Sequence, residues 1–275
     1  MNENSQLDFS SLKGKTAVIT GGAGILGKHF SNGLARCGAH VVIVDLNKEV
    51  GEKLADDLTR RYGQKCISIV CDVSESAPVS AMVDEVVKQF GEIHVLHNNA
   101  ASKSSNLEAF FSPFEEYTLD QWREVTKVNI DGMFLVAQAV GKKMVEQNKG
   151  GSIIQTSSIY GVLGPDPRIY EGSSYMDQAI NTPGVYSTSK AAVIGLTKYL
   201  ATYWAEKNIR VNCLTPGGVE SGQNDIFKDK YSNRVPLGRM SQPEEMVGTL
   251  LYLASDASSY VTGQNIIVDG GLSAW

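Results

Sequence analysis

Short apolar runs of strand length alternate along this chain with segments whose apolar residues recur every three or four positions, and few architectures accept that alternation. The runs fall at 16–20, 41–44, 66–70, 95–96, 152–156, 209–214 and 265–268. Between them, Leu26, Phe30 and Leu34 mark one helical stripe that ends near Gly38. Val50, Leu54 and Leu58 mark a second, and Val79, Met82, Val83, Val86, Val87 and Phe90 a third. Further helices are expected around 122–145, 186–206 and 244–253. A strand covered on both faces reads as a continuous apolar run, so the pattern predicts an α/β fold: one parallel sheet with helices on both faces. Ligands of such sheets bind beyond the carboxyl ends of the strands.

Two stretches break the rhythm, 161–185 and 217–236, and both are expected as long loops forming lids at the ligand-binding end. No linker or repeat divides the 275 residues, which predicts a single domain over 1–275. Lys and Arg number 25 against 30 Asp and Glu, a net charge of −5 with no basic run, which argues against nucleic acid or an anionic membrane surface as partner. No stretch approaches the about 18 uninterrupted apolar residues of a membrane span. Cys37, Cys66, Cys71 and Cys213 form no CxxC, and the start Met-Asn-Glu-Asn-Ser-Gln lacks the basic-then-apolar pattern of a signal peptide. A cytoplasmic protein is the expectation.

Chemistry begins directly after the first strand, at Thr20-Gly21-Gly22-Ala23-Gly24-Ile25-Leu26-Gly27. Glycines at the mouth of a helix allow a tight turn and let a pyrophosphate approach backbone N–H groups at the positive end of the helix dipole. The spacing of Gly21, Gly24 and Gly27 is GxxGxxG, a relative of the GxGxxG dinucleotide fingerprint. Asp45 ends the second strand 24 residues beyond Gly21, near the about 20 expected of an acid that accepts from ribose hydroxyls. A carboxylate there repels a 2′-phosphate, and neither Leu46 nor the glycine loop supplies a cation, so NAD is expected over NADP.

In Tyr186-Ser187-Thr188-Ser189-Lys190 a phenol and an ammonium stand at i and i+4, on one face of a helix. A phenol of ordinary pKa about 10 is a poor proton carrier at neutral pH, and a neighbouring cation makes its phenolate accessible. Tyr203 and Lys207 repeat the spacing near the end of the same helix. Only Tyr186 opens the helix and follows a strand that ends in Ser157-Ser158, which can bring a hydroxyl to the same pocket.

Taken in order, these motifs resemble the short-chain dehydrogenase/reductase family in its shorter form, over 15–275. Gly21 to Gly27 resembles the family's cofactor loop, with Ile25 and Leu26 inside it, Asp45 its ribose acid, and Cys71-Asp72-Val73 the positions beside the adenine. Asn98-Asn99-Ala100, Asn129, Ser158 in Ser-x-x-Gly, 210–217 and Asp269-Gly270-Gly271 match the remaining signatures. The resemblance implies a Rossmann-type, doubly wound sheet and a cofactor site that adds Asn99, Ala100, Tyr186, Lys190, Pro216, Gly217 and Val219 to the residues above. It implies that Tyr186 exchanges a proton with a substrate oxygen that Ser158 polarises. Lys190 would lower the phenol's pKa and bind ribose hydroxyls, and Asn129 would hold a relay water. It also implies a homo-oligomer, dimer or tetramer.

Two departures stand out. Ile25 occupies a position where the short form usually has glycine, and Ser158 precedes Tyr186 by 28 positions, a gap enlarged by the 161–185 insertion. Ser157 and Ser158 both remain candidates for the substrate-facing hydroxyl, with the motif favouring Ser158. The insertion carries Asp166, Arg168, Tyr170, Glu171, Ser173, Ser174, Asp177, Gln178 and Asn181, hydrogen-bonding groups that suit a small hydroxylated substrate: a polyol, sugar or sugar acid. The loop and the tail also look like the gluconate 5-dehydrogenase-like, surface-sugar-associated branch. A sugar epimerase or dehydratase using NAD without net redox, a 3-oxoacyl thioester reductase and a non-catalytic dinucleotide sensor are the alternatives. No metal is expected, because His94 and His97 at i, i+3 on a strand face opposite sides. Tyr203 and Trp204 are expected in the core or an interface, and Phe110, Phe111 and 272–275 in the pocket wall or an interface.

Overall fold

The computed structural model describes residues 9–275 apart from 105 and 177, so the chain start and Asp177, both invoked above, lie outside the described residues. Strands β1 (Thr16–Thr20), β2 (His40–Asp45), β3 (Cys66–Val70), β4 (Val95–Asn98), β5 (Gly151–Thr156), β8 (Ile209–Pro216) and β9 (Asn265–Val268) form one sheet in the order β3-β2-β1-β4-β5-β8-β9. All its pairings are parallel. Strand order reverses between β1 and β4, which creates the switch-point crevice where such sheets bind ligands.

The apolar runs separate into two core layers because successive strand residues face opposite ways. Ile19 and Ile43 pack with Phe30 and Leu34 of α1 (Gly27–Arg36) and with Leu250 and Leu251 of α9 (Val247–Ala254). Val18, Val42 and Leu96 face the other way, onto α3 (Ser76–Phe90), α6 (Met133–Gln147) and α7 (Gly184–Tyr203). Helix α2 (Lys48–Tyr62) buries Gly51, Ala55 and Leu58, whereas Val50, expected on its apolar stripe, is exposed. Close approach to Ser68 of β3, whose hydroxyl would stand 2.2 Å from a Cβ at Gly51, sets that face.

The helix expected over 122–145 is two helices, α5 (Leu119–Thr126) and α6, joined by a π-helical turn over Lys127–Gly132 that carries Asn129. The widened turn at a buried polar side chain is a common mark of a working site.

The two segments expected as loops are more ordered than that. A short helix, α4 (Leu107–Phe110), precedes them. Segment 161–185 folds into a 3-10 turn and a hairpin of β6 (Ser174–Tyr175) and β7 (Gln178–Ala179). Segment 217–236 contains helix α8 (Asp225–Ser232), which buries Phe227 and Tyr231. Together they enclose a small core of their own, Ile159, Ile169, Phe227, Tyr231, Val235, Met240 and Leu272.

Candidate active site

The carboxyl ends of the strands on either side of the switch point open onto a cavity of about 650 Å³. Its wall holds every residue expected at the cofactor: Gly21, Gly24, Ile25, Leu26, Gly27, Asp45, Asp72, Val73, Asn99, Ala100, Tyr186, Lys190, Pro216, Gly217 and Val219. Gly21 has φ +61°, and a Cβ at Gly27 would stand 2.0 Å from the Gly21 carbonyl oxygen, so both ends of the loop require glycine. No side chain caps the start of α1. Among the described residues the N–H groups of Ile25, Leu26 and Gly27 have no acceptor, which fits a bound pyrophosphate at the helix dipole.

Asp45 braces this loop. One carboxylate oxygen accepts from the Ala23 N–H at 3.0 Å and the other from the Asn47 N–H at 3.1 Å. Thr20 ties the loop to the end of β4: its hydroxyl accepts from the N–H groups of Asn99 and Ala100 at 2.9 and 3.0 Å and donates to Asn98 at 3.2 Å. Asp72 turns its carboxylate onto the Ser74 hydroxyl and N–H, which hold it below the usual carboxylate range.

At the other end, Tyr186 stands in the first turn of α7 and Lys190 one turn on, both on the cavity wall. The Ser158 hydroxyl stands beside the Tyr186 phenol on the cavity wall and works against the burial that raises its pKa. Ser157 also reaches the wall, but its hydroxyl donates to the Lys190 carbonyl at 2.7 Å. The Ser158 hydroxyl accepts from the Tyr160 N–H at 3.3 Å, which leaves its own proton to donate. The buried Lys190 ammonium donates to the Thr156 carbonyl at 3.1 Å and lies 5.8 Å from the centre of the Tyr186 ring. Desolvation pulls its pKa down to about 8. The expected lowering of the phenol by Lys190 is not what stands here: burial raises the Tyr186 pKa, and the lowering contribution comes from Ser158. Lys190 stands over the Tyr186 ring and donates to a carbonyl, and with a pKa of about 8 it is still largely protonated at neutral pH.

Asn129 does not line the cavity. Buried in the π turn, it accepts from the Ser102 N–H at 2.8 Å and donates to the Ser102 carbonyl and the Ser189 hydroxyl at 3.3 and 3.4 Å. It joins the loop after β4 to α7.

Most of the polar groups of 161–185 are engaged within the protein, contrary to the expectation that they face a substrate. Asp166 pairs with Arg168 and Arg234, which hold its carboxyl down to about 2. Glu171 pairs with Lys230, and the Ser173 hydroxyl donates to the Ile169 carbonyl. Tyr170 and Asn181 do line the cavity. The Tyr170 hydroxyl donates to that of Tyr160 at 3.1 Å and lies 2.6 Å from that of Thr182. Tyr160, Tyr175, Phe227 and Tyr231 complete a largely aromatic wall that sequence reasoning missed. One signal was available for the last two, the i, i+4 spacing of Phe227 and Tyr231. The Tyr231 hydroxyl accepts from the Gly218 N–H at 2.6 Å and anchors the segment.

Phe110 and Phe111 line the cavity, whereas Trp275 is exposed and donates to the Arg234 carbonyl, and Leu272 belongs to the covering core. Trp204 is buried, while Tyr203 is exposed and stacked on Tyr199. His97 is fully buried against Phe30, its Nε2 2.8 Å from the Thr156 hydroxyl, and desolvation lowers its pKa to about 3. His94 accepts from the Thr16 N–H. Among the described residues no three His, Cys, Asp or Glu side chains gather as metal ligands, and no helix is long and apolar enough to cross a membrane.

Comparison with known proteins places relatives around this geometry. A family model described as enoyl-(acyl carrier protein) reductase matches residues 22–273. Sorbose reductase of Candida albicans is 35% identical over 96% of this chain and 89% of its own. A 3-oxoacyl-[acyl-carrier-protein] reductase of Chlamydia muridarum is 34% identical over 96% and 99%. Among solved structures, a gluconate 5-dehydrogenase from Burkholderia cenocepacia in complex with NADP and tartrate is 33% identical, with TM-score 0.83 over 97% of this chain and 99% of that one. A short-chain dehydrogenase from Leptospira borgpetersenii with bound NAD+ is also 33% identical, with TM-score 0.84 over 98% and 96%.

Proposed function

The chain belongs to the short-chain dehydrogenase/reductase family and is an NAD(P)-dependent oxidoreductase, and from that premise we propose that it interconverts a secondary alcohol and a ketone on a polyol, sugar or sugar acid. The observation that carries the reading is that Ser158, Tyr186 and Lys190 stand together on the wall of a cavity shared with the glycine loop. When bound, the nicotinamide supplies or accepts the hydride, and the chain's own groups manage the oxygen. The Ser158 hydroxyl donates to that oxygen and stabilises the charge that develops on it. The Tyr186 phenol gives the oxygen a proton in reduction and takes one in oxidation. Lys190, on the same wall, would hold the ribose hydroxyls of a bound cofactor, and Asn129 acts as a positioning residue that holds Ser102 and α7 around the proton path. Segments 161–185 and 217–236 cover the substrate as a lid. Net formation of reduced nicotinamide from an offered alcohol tests the reading; substrate conversion with none would favour the epimerase or dehydratase.

NAD is the proposed cofactor. Asp45 and the exposed Leu46 stand at the end of β2, and the only cavity-lining cations among the described residues are Lys103, in the loop after β4, and Lys190, in α7. Asp45→Ala removes the charge that opposes a 2′-phosphate, so the ratio of kcat/KM with NAD to that with NADP is expected to fall about tenfold, measured by initial rates. An unchanged ratio would contradict the role of Asp45.

A second reading, reduction of a 3-oxoacyl thioester, draws support from the aromatic wall and from the acyl-carrier-protein reductase among the relatives. The same reading of the chain includes a cytoplasmic location, with all four thiols free, and a homo-oligomer, dimer or tetramer, with the exposed Tyr199–Tyr203 stack as a contact surface.

A further inference from the structure

Charge is unevenly placed around the cavity. Among the described residues its two carboxylates, Asp45 and Asp72, stand at the ends of β2 and β3, and its substrate end has none. Lys103, in the loop after β4, faces that end. Its ammonium lies 4.3 Å from the centre of the Tyr175 ring on β6. Tyr175 is joined by a β-bridge to Gln223 in the next covering segment, so Lys103 sits where three cavity-lining segments converge.

Cations elsewhere in the covering segments have carboxylate partners: Arg168 and Arg234 with Asp166, Lys230 with Glu171, Arg239 with Glu245. Among the described residues Lys103 has none, and although its side chain is exposed at the rim, desolvation by the surrounding protein lowers its pKa. A cation held over an aromatic face, in a cavity end without an acid, offers an anionic ligand group a complementary partner.

We propose that Lys103 holds a carboxylate of the substrate, so that the group oxidised is the secondary alcohol of a hydroxy acid. A single ammonium with no second cation beside it matches one negative charge better than the two of a phosphate ester. The proposal rests on the oxidoreductase reading above and narrows its substrate class. A neutral polyol would fill the same space and leave the ammonium without a counter-charge.

The test compares aldonates with alditols of equal chain length, D-gluconate against D-glucitol among them, using wild type, Lys103→Met and Lys103→Arg with NAD. The wild type is expected to favour the acid in kcat/KM by about tenfold or more. In Lys103→Met that preference is expected to collapse at least tenfold through KM, and Lys103→Arg is expected to restore most of it. Equal kcat/KM for acid and polyol in the wild type, an equal loss with both in Lys103→Met, or a loss that appears in the KM for NAD would each overturn the proposal. If no alcohol is oxidised, the oxidoreductase substrate reading fails separately, and the carboxylate subsite is read by calorimetry of tartrate binding to the NAD-loaded protein. Salt-sensitive binding that Lys103→Met removes would support the subsite, and binding that the variant leaves intact would overturn it.

Discussion

Tyr186→Phe is expected to lower kcat by about a thousandfold or more while NAD binds with nearly wild-type affinity, since general acid–base groups contribute about 10²–10⁴ to rate. The ring of Tyr186 packs with Phe110, Val125 and Val185, contacts that phenylalanine keeps, so the loss reports the hydroxyl alone. The pH profile carries a second signature. Burial raises the phenol above its ordinary value. Oxidation needs the phenolate to accept a proton, so wild-type oxidation is expected to speed up as pH rises through the alkaline range. Reduction needs the protonated phenol, so its rate is expected to hold through neutral pH and fall only in alkali. Steady-state rates against pH check both limbs. Tyr186→Phe removes this ionisation, and a remaining inflection near Lys190's value of about 8 belongs to the lysine.

Ser158→Ala is expected to cost about a hundredfold to a thousandfold in kcat, the range seen when one donor to a developing oxyanion is deleted. Ser157→Ala serves as the adjacent control. Its hydroxyl donates to the backbone of α7 at Lys190, so its loss is expected to lower stability by about 1 kcal/mol, read by denaturant unfolding, with a far smaller effect on rate. A reversed order, with Ser157→Ala the slower enzyme, would show that the substrate oxygen approaches from the other side of the strand end.

The sheet was legible because its inner strands are enclosed, and an enclosed strand reads as a continuous apolar run, as Val41 to Val44 do, while the edge strands β3 and β9 are only partly buried. The glycine loop was legible for a related reason: a Cβ at Gly27 would overlap the Gly21 carbonyl, a requirement that only glycine meets. Helix α8 was hidden, since it buries only Phe227 and Tyr231 while its third apolar residue, Ile226, is exposed, and that burial depends on Ile159, Met240 and Leu272 arriving from elsewhere. The polarity of 161–185 misled for a physical reason. Asp166, Glu171 and Ser173 satisfy partners within the covering segments, while residues not singled out, Tyr160, Tyr175 and Lys103, form the wall. The Ser-x-x-Gly motif favoured Ser158 and left Ser157 open, because the engagement of the Ser157 hydroxyl by the Lys190 carbonyl depends on a helix 33 residues further along the chain.

The central claim is hydride exchange with a hydroxylated small molecule, and the most direct measurement is absorbance of reduced nicotinamide while polyols, sugar acids and amino sugars are offered with NAD and, separately, with NADP. Turnover with NAD on a hydroxylated substrate, absent in Tyr186→Phe, is the predicted result. Conversion of substrate with no net reduced nicotinamide, or equal turnover in Tyr186→Phe, would contradict it.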